Sequence, residues 1–254
     1  MERRKFIRTG AAGALAVAGS RLGAKSATQD PVAKEIIEWR VYEMAWGGNE
    51  GLLRDYLLNT LQPALRRKGA TQFALFHEYG NSNPVKLHAM IAYRDAAAYL
   101  DSQSLDDDAT FQTDAVAYND VTVDRPIYSR FSSWLMNAFT GMPQSVATNP
   151  EAGLFELRIY EGYSEDATRR KIRMFNESEV DIFKETGLDA VFYGDMIAGP
   201  YRPALVYLLQ FTDMEARDAN WSKFGIHPEW NRIKDLPEYA NSVSNIRRTF
   251  LMPV

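Results

Sequence analysis

Glu38-Trp39-Arg40-Val41-Tyr42-Glu43 returns as Glu156-Leu157-Arg158-Ile159-Tyr160-Glu161, and the offset of 118 residues persists beyond the motif. Gly69 maps to Gly187 and Asp95 to Asp213 with no net insertion. Two copies of one fold unit follow from that. A repeated α/β unit with an open sheet face tends to bury it against its twin. The space between the two sheets is therefore the first place to look for a working site.

Outward from the motif, each copy reads β-α-β-β-α-β. The first opens with a strand near 35–44. Leu53, Leu57, Leu61 and Leu65 then recur at i+4, which predicts a helix over about 49–68. Pro63 inside it is expected to kink or split it, and Gly69 suits the position just past its end. Strands follow near 70–79 and 85–94 across the turn residues Gly80-Asn81-Ser82-Asn83-Pro84. A short helix near Asp95, an acidic loop over 101–110 and a helical stretch near 109–119 lead to a last strand at about 127–136. The second copy has strands near 154–163, 189–197, 203–212 and 245–252, and a long helix over 165–186. Thr212-Asp213-Met214-Glu215 reads as a capping box for its second helix. The stretch 137–153 carries no period and reads as the linker. The units are thus 35–136 and 154–254.

Residues 1–27 read as a removable leader. Arg3-Arg4-Lys5-Phe6-Ile7 followed by a short Ala-, Gly- and Leu-rich run has the layout of a twin-arginine export signal. Export by the Tat route to the periplasm or the extracellular space is expected. The run is shorter than the roughly 20 residues of a membrane span. Losing this stretch removes six basic residues and one acidic one, taking the formal charge from −4 to −9. An acidic chain without a basic stripe is a poor nucleic-acid binder and has no electrostatic attraction to anionic lipid. With no cysteine, disulfides, iron–sulfur clusters and thiol catalysis are excluded.

The paired Glu-x-Arg-x-Tyr-Glu strands carry a resemblance, together with His88-Ala-Met-Ile-Ala-Tyr-Arg-Asp, Val206-Tyr-Leu-Leu-Gln-Phe-Thr-Asp and the later Trp221…His227-Pro-Glu-Trp230. The chain resembles the NIPSNAP family, most closely over 152–254. The first copy lacks the Pro-Glu-Trp signature and is the more divergent. The resemblance implies an α+β fold: two tandem ferredoxin-like units whose sheets form a dimeric α+β barrel. Roles within the family are diverse. The wider superfamily includes cofactor-free monooxygenases and haem-dependent enzymes, a likeness of fold only.

Strand alternation sorts the candidate residues by face. Trp39 and Val41, like Leu157 and Ile159, are expected to pack on the helices. Glu38, Arg40 and Tyr42, with Glu156, Arg158 and Tyr160, would then face the barrel interior. On the third strands, Leu87, Ala89, Ile91 and Tyr93 read as the helix side, leaving His88, Met90 and Ala92, or Val206, Leu208 and Gln210, inward. A hairpin centred between Ser82 and Asn83 would put His77 opposite His88, with Cβ atoms about 5 Å apart.

His77, His88, Arg40, Tyr42 and Glu38 are accordingly the candidate catalytic group. A histidine could serve as general base while the guanidinium stabilises an anion. Arg158, Tyr160, Glu156, Tyr193, Asp195 and Gln210 are ligand-binding candidates in the second copy. A metal on His77, His88 and Glu38 is the weaker alternative, since Glu/Arg pairs can equally be buried ion pairs. No cofactor, metal or haem is expected. Asp106-Asp107-Asp108 lacks the glycine and terminal glutamate of a calcium loop. No phosphate loop, nucleophile elbow or His-Glu-x-x-His segment is present. The expectation is an exported module that binds a small molecule or a protein partner in its barrel. The alternative is a monooxygenase- or isomerase-like enzyme acting in the lumen. Closure is expected within one chain as a pseudo-dimer, with a homo-oligomer also open.

Overall fold

The computed structural model describes residues 33–80 and 82–254. The leader expected over 1–27 lies outside the described residues. The first half runs β1 (Ile36–Met44), α1 (Glu50–Asp55), a π-helical segment (Tyr56–Leu61), α2 (Gln62–Arg67), β2 (Ala70–Glu78) and β3 (Lys86–Tyr93). Three short helices, α3 (Ala96–Asp101), α4 (Ala109–Asp114) and α5 (Val116–Asn119), precede β4 (Tyr128–Ala138). The second half runs β5 (Leu154–Glu161), α6 (Glu165–Met174), a π-helical segment (Phe175–Glu179), α7 (Val180–Thr186), β6 (Ala190–Ala198) and β7 (Ala204–Phe211). It closes with α8 (Met214–Ile226), α9 (Pro228–Ile233) and β8 (Asn245–Pro253).

The local reasons are those of the sequence. Asn49, Asp95, Asp108, Ser164 and Asp213 each accept a backbone N–H at a helix start. Gly187 ends α7 at φ +76°, where a side chain would be strained. Pro63 follows a π segment, but the second long helix carries one at the matching place without any proline. The widened turn is thus a property of both long helices, and Pro63 is not its sole cause.

The strands form one closed antiparallel barrel in the order β1-β3-β2-β8-β5-β7-β6-β4. Each half supplies four contiguous strands, β4-β1-β3-β2 and β8-β5-β7-β6, which is the ferredoxin-like order twice over. The halves join at two seams, β2 with β8 and β4 with β6. Closure within one chain leaves no open edge in the ring. Strand directions alternate around it, so the β2–β3 and β6–β7 hairpins lie at the same barrel end.

Three buried clusters fill the molecule. The lumen holds Trp39, Phe76, Met90, Trp134, Phe155 and Phe192, among others drawn from both halves. The outer face of the first sheet packs Tyr42, Ile91 and Tyr93 against Leu53, Leu57, Leu61 and Leu65 of the first long helix. The outer face of the second packs Tyr160, Tyr193 and Tyr207 against Phe175, Phe183 and Phe224. An eight-stranded barrel is about wide enough for its own side chains to fill, and these large apolar groups do so.

This corrects the face expected for the first strands. Trp39, Val41, Leu157 and Ile159 point into the lumen. Glu38, Arg40 and Tyr42, with Glu156, Arg158 and Tyr160, lie on the helix side. The physical reason is that both faces of these strands are buried. The apolar side fills the lumen, while the polar side finds its partners outside it: on the same sheet for Glu38, from Arg40, Tyr93 and Ser133, and on α8 for Glu156, from Arg217 and Trp221. The third strands keep the expected orientation, with Met90, Ala92, Val206 and Leu208 inward.

Candidate functional site

The hairpin register differs from expectation by one residue. His77 stands opposite Leu87, and Phe76 opposite His88. The turn centres on Ser82 rather than after it, and one residue of slip sends a side chain to the other face. His77 and His88 are therefore not neighbours across the hairpin. His77 is half-buried on the outer side, 3.4 Å from Glu50. His88 is buried in the lumen, where Trp39 Nε1 donates to its Nδ1 at 3.1 Å. A ring nitrogen that accepts leaves the proton on the other, so Nε2–H of the neutral ring donates to Glu78 at 3.1 Å. That bond is the largest influence holding the Glu78 carboxyl below its ordinary range, against the opposing effect of burial.

Glu38 belongs to a different cluster. Its carboxylate accepts from Arg40 Nε and Nη2 at 2.7 and 2.9 Å, Ser133 at 2.6 Å and the Tyr93 hydroxyl at 3.1 Å. Arg40 also stacks over Phe131. Tyr42 is buried against Tyr128 and Phe131, and burial raises its hydroxyl pKa. The proposed group of His77, His88, Arg40, Tyr42 and Glu38 is thus split over three environments. His77, His88 and Glu38 do not form a ligand set, and among the described residues no group of three acidic or histidine side chains is placed to hold a metal ion.

The second-half candidates also separate. Glu156, fully buried, accepts from Arg217 Nε and Nη2 at 2.9 and 3.1 Å and from Trp221 Nε1 at 2.9 Å. Arg158 Cζ lies over the Trp221 ring, 4.2 Å from its centroid. Tyr207 donates to the Tyr160 hydroxyl at 2.9 Å, and Tyr193 is buried among Phe139, Phe175 and Phe183. Asp195 lines a cavity of about 170 Å³ with Glu165, Arg169 and Arg202, and burial raises its carboxyl pKa despite Arg202, Lys34 and Arg169. Gln210 accepts from the Asn149 backbone N–H at 2.8 Å and anchors the linker. Sequence reasoning missed Arg217, Lys171 and Glu179. Lys171 and Glu179 pair in a fully buried position, where desolvation raises the Glu179 pKa. A lysine and a glutamate eight residues apart on a long helix were the only signal.

Open space lies at the hairpin end. A cavity of about 360 Å³ is bounded by Met44, Trp46, Glu50, Pro84 and Val85. A second of about 270 Å³, lined by His77, Glu78, Lys86 and Met252, shares Val85 with it. Together they form a rim groove. The Trp46 loop is fixed by glycine geometry: Gly47 has φ +71°, and a Cβ on Gly48 would sit 2.1 Å from the Ile127 carbonyl oxygen. The loop holds Trp46 wholly in solvent, at 102% relative exposure, the opposite of the usual place for an indole.

Barrel order, strand registers and two layers of helices define a dimeric α+β barrel protein of tandem ferredoxin-like units. Within that class the NIPSNAP family model matches residues 155–254, the half where the sequence resemblance is strongest. No curated protein matches the chain by sequence. A proposed monooxygenase from Fusobacterium nucleatum is similar in structure, with TM-score 0.54 and 11% identity over 87% of this chain and 93% of that one. A proposed monooxygenase from Lactobacillus acidophilus gives 0.55 and 12% over 86% and 93%. At such identities these share the fold alone. A NIPSNAP-like domain protein from Burkholderia xenovorans is 20% identical over 41% of this chain and 87% of that one, with TM-score 0.36.

Proposed function

We propose that the protein is a binding module for a small organic cation, and that its working site is the rim groove around Trp46 rather than the barrel lumen. The carrying observation is the contrast between a lumen filled with aromatic side chains and a fully exposed indole held over a cavity by two glycines. An indole face attracts a cation, more strongly once both are desolvated. Glu50 stands in the same cavity and Glu78 in the adjoining one, and the net negative charge favours approach of cations. Val85 and Pro84 offer apolar surface to the rest of the ligand. Titration with benzyltrimethylammonium, followed by tryptophan fluorescence, tests this. Saturable quenching that disappears in Trp46→Phe supports it, and titrations identical in the two proteins refute it.

We also infer Tat export, from Arg3 and Arg4. Replacing both by lysine should leave the protein in the cytoplasm on cell fractionation.

A further inference from the structure

The same motif closes differently in the two halves. Glu38 receives both Nε and Nη2 of Arg40. In the second half Arg217 takes the corresponding place on Glu156, with Trp221 as a third donor. Arg158 is left 3.5 Å from Glu156. It rests on the Trp221 ring, and its buried Nε has no hydrogen-bond partner. The residue is 9% exposed, so bulk water does not satisfy that N–H. A buried donor without a partner costs about 1–3 kcal/mol and calls for an explanation.

The cross-strand neighbour supplies one. Arg158 stands directly opposite Arg248 in the β5–β8 register, with side chains on one face and Cβ atoms about 5 Å apart. Like charges in that relation are unfavourable. The first half avoids this, since Ser133 stands opposite Arg40. Arg248 is exposed, and among the described residues it forms no ion pair, whereas its neighbour Arg247 pairs with Glu161. Arg217 adds a third guanidinium, already committed to Glu156 and Asp218. The place thus has an orphaned donor, an exposed cation without an ion pair beside it, and the rings of Trp221 under Arg158 and of Phe250 under Arg217.

We propose that Arg158 and Arg248 form an oxyanion site on the helix side of the second sheet, taking the carboxylate or phosphate of a small organic molecule. The anion bridges the two guanidiniums, accepts from Arg158 Nε, and relieves their repulsion. Paired N–H donors of this kind suit either group. The site is separate from the Trp46 groove, lies on the other half of the chain, and does not depend on it.

The test reads the orphaned atom itself. In ¹⁵N-labelled mature protein the Nε–H signal absent from Arg158→Lys is assigned to Arg158, then followed during addition of inorganic phosphate and, separately, benzoate at low salt. The expected result is a saturable shift of that signal. In Arg248→Ser, which copies the first half at an exposed position, apparent affinity should fall at least about tenfold, while the thermal melt without anion should change little. A stronger response to benzoate assigns an organic carboxylate, and a stronger response to phosphate assigns a phosphate. An Arg158 signal unmoved by both anions, or equal affinities in wild type and Arg248→Ser, overturns the proposal.

Discussion

Trp39 and His88 meet inside the barrel, indole N–H to imidazole Nδ1 at 3.1 Å. Each belongs to the first half, and Trp39 is enclosed by side chains from both. Through His88 the bond reaches Glu78 at the rim. A residue of the core is thus joined by two hydrogen bonds to a residue at the groove.

Removing the donor should be felt in stability. Trp39→Phe leaves His88 Nδ1 without a partner in an apolar surround, at a cost of about 1–3 kcal/mol beyond any loss of packing. Trp46→Phe, at a fully exposed position, should stay within about 0.5 kcal/mol of wild type. Urea denaturation of both variants checks the contrast, and equal losses would contradict it.

Glu78 imposes a pH dependence of definite sign. Its folded pKa lies below the ordinary 4.5, so on acidification the unfolded chain takes up this proton first. The stabilisation is present above 4.5 and is lost as pH falls through the folded value. In Glu78→Gln the deficit relative to wild type should be steady from neutral pH to about 5, then shrink toward lower pH. Denaturation midpoints across that range check it, and a deficit that grows on acidification would be the wrong sign.

The lumen is packed with apolar side chains. Phe76 and Phe155 stack edge to face with centroids 4.8 Å apart, and both are buried. Phe155→Ala should cost about 3–5 kcal/mol and leave benzyltrimethylammonium affinity unchanged wherever the variant is folded. Denaturation and titration on the same sample separate the two effects.

Glu38 and Arg40 should depend on each other. Glu38→Ala strands a buried guanidinium, at about 3–5 kcal/mol, whereas Glu38→Leu with Arg40→Met removes both charges and should cost far less. A double-mutant cycle by chemical denaturation measures the difference. A double variant as unstable as the sum of its parts would show that the pair is not coupled.

Much of the architecture is legible in the residues. The 118-residue offset, the leucine stripe from Leu53 to Leu65 and the glycines at 69 and 187 mark the units, and strands of the second half fall within about two residues of expectation. The faces of β1 and β5 are not legible, because Glu-x-Arg-x-Tyr looks like a polar face seeking a site. Arg217 and Trp221, which satisfy Glu156, lie some sixty residues away and announce no pairing in sequence. The His77–His88 pairing failed on a single residue of register, which turn composition does not fix. Trp46 drew no notice because an aromatic residue beside two glycines reads as an ordinary turn.

The sharpest test of where this protein works uses its five tryptophans. Their indole N–H signals in ¹⁵N-labelled protein separate the rim, where Trp46 sits, from the lumen, which holds Trp39 and Trp134. On titration with benzyltrimethylammonium the Trp46 signal should move saturably while those of Trp39 and Trp134 stay in place. Movement of Trp39 and Trp134 with Trp46 unmoved would put the ligand inside the barrel and contradict the assignment of the rim.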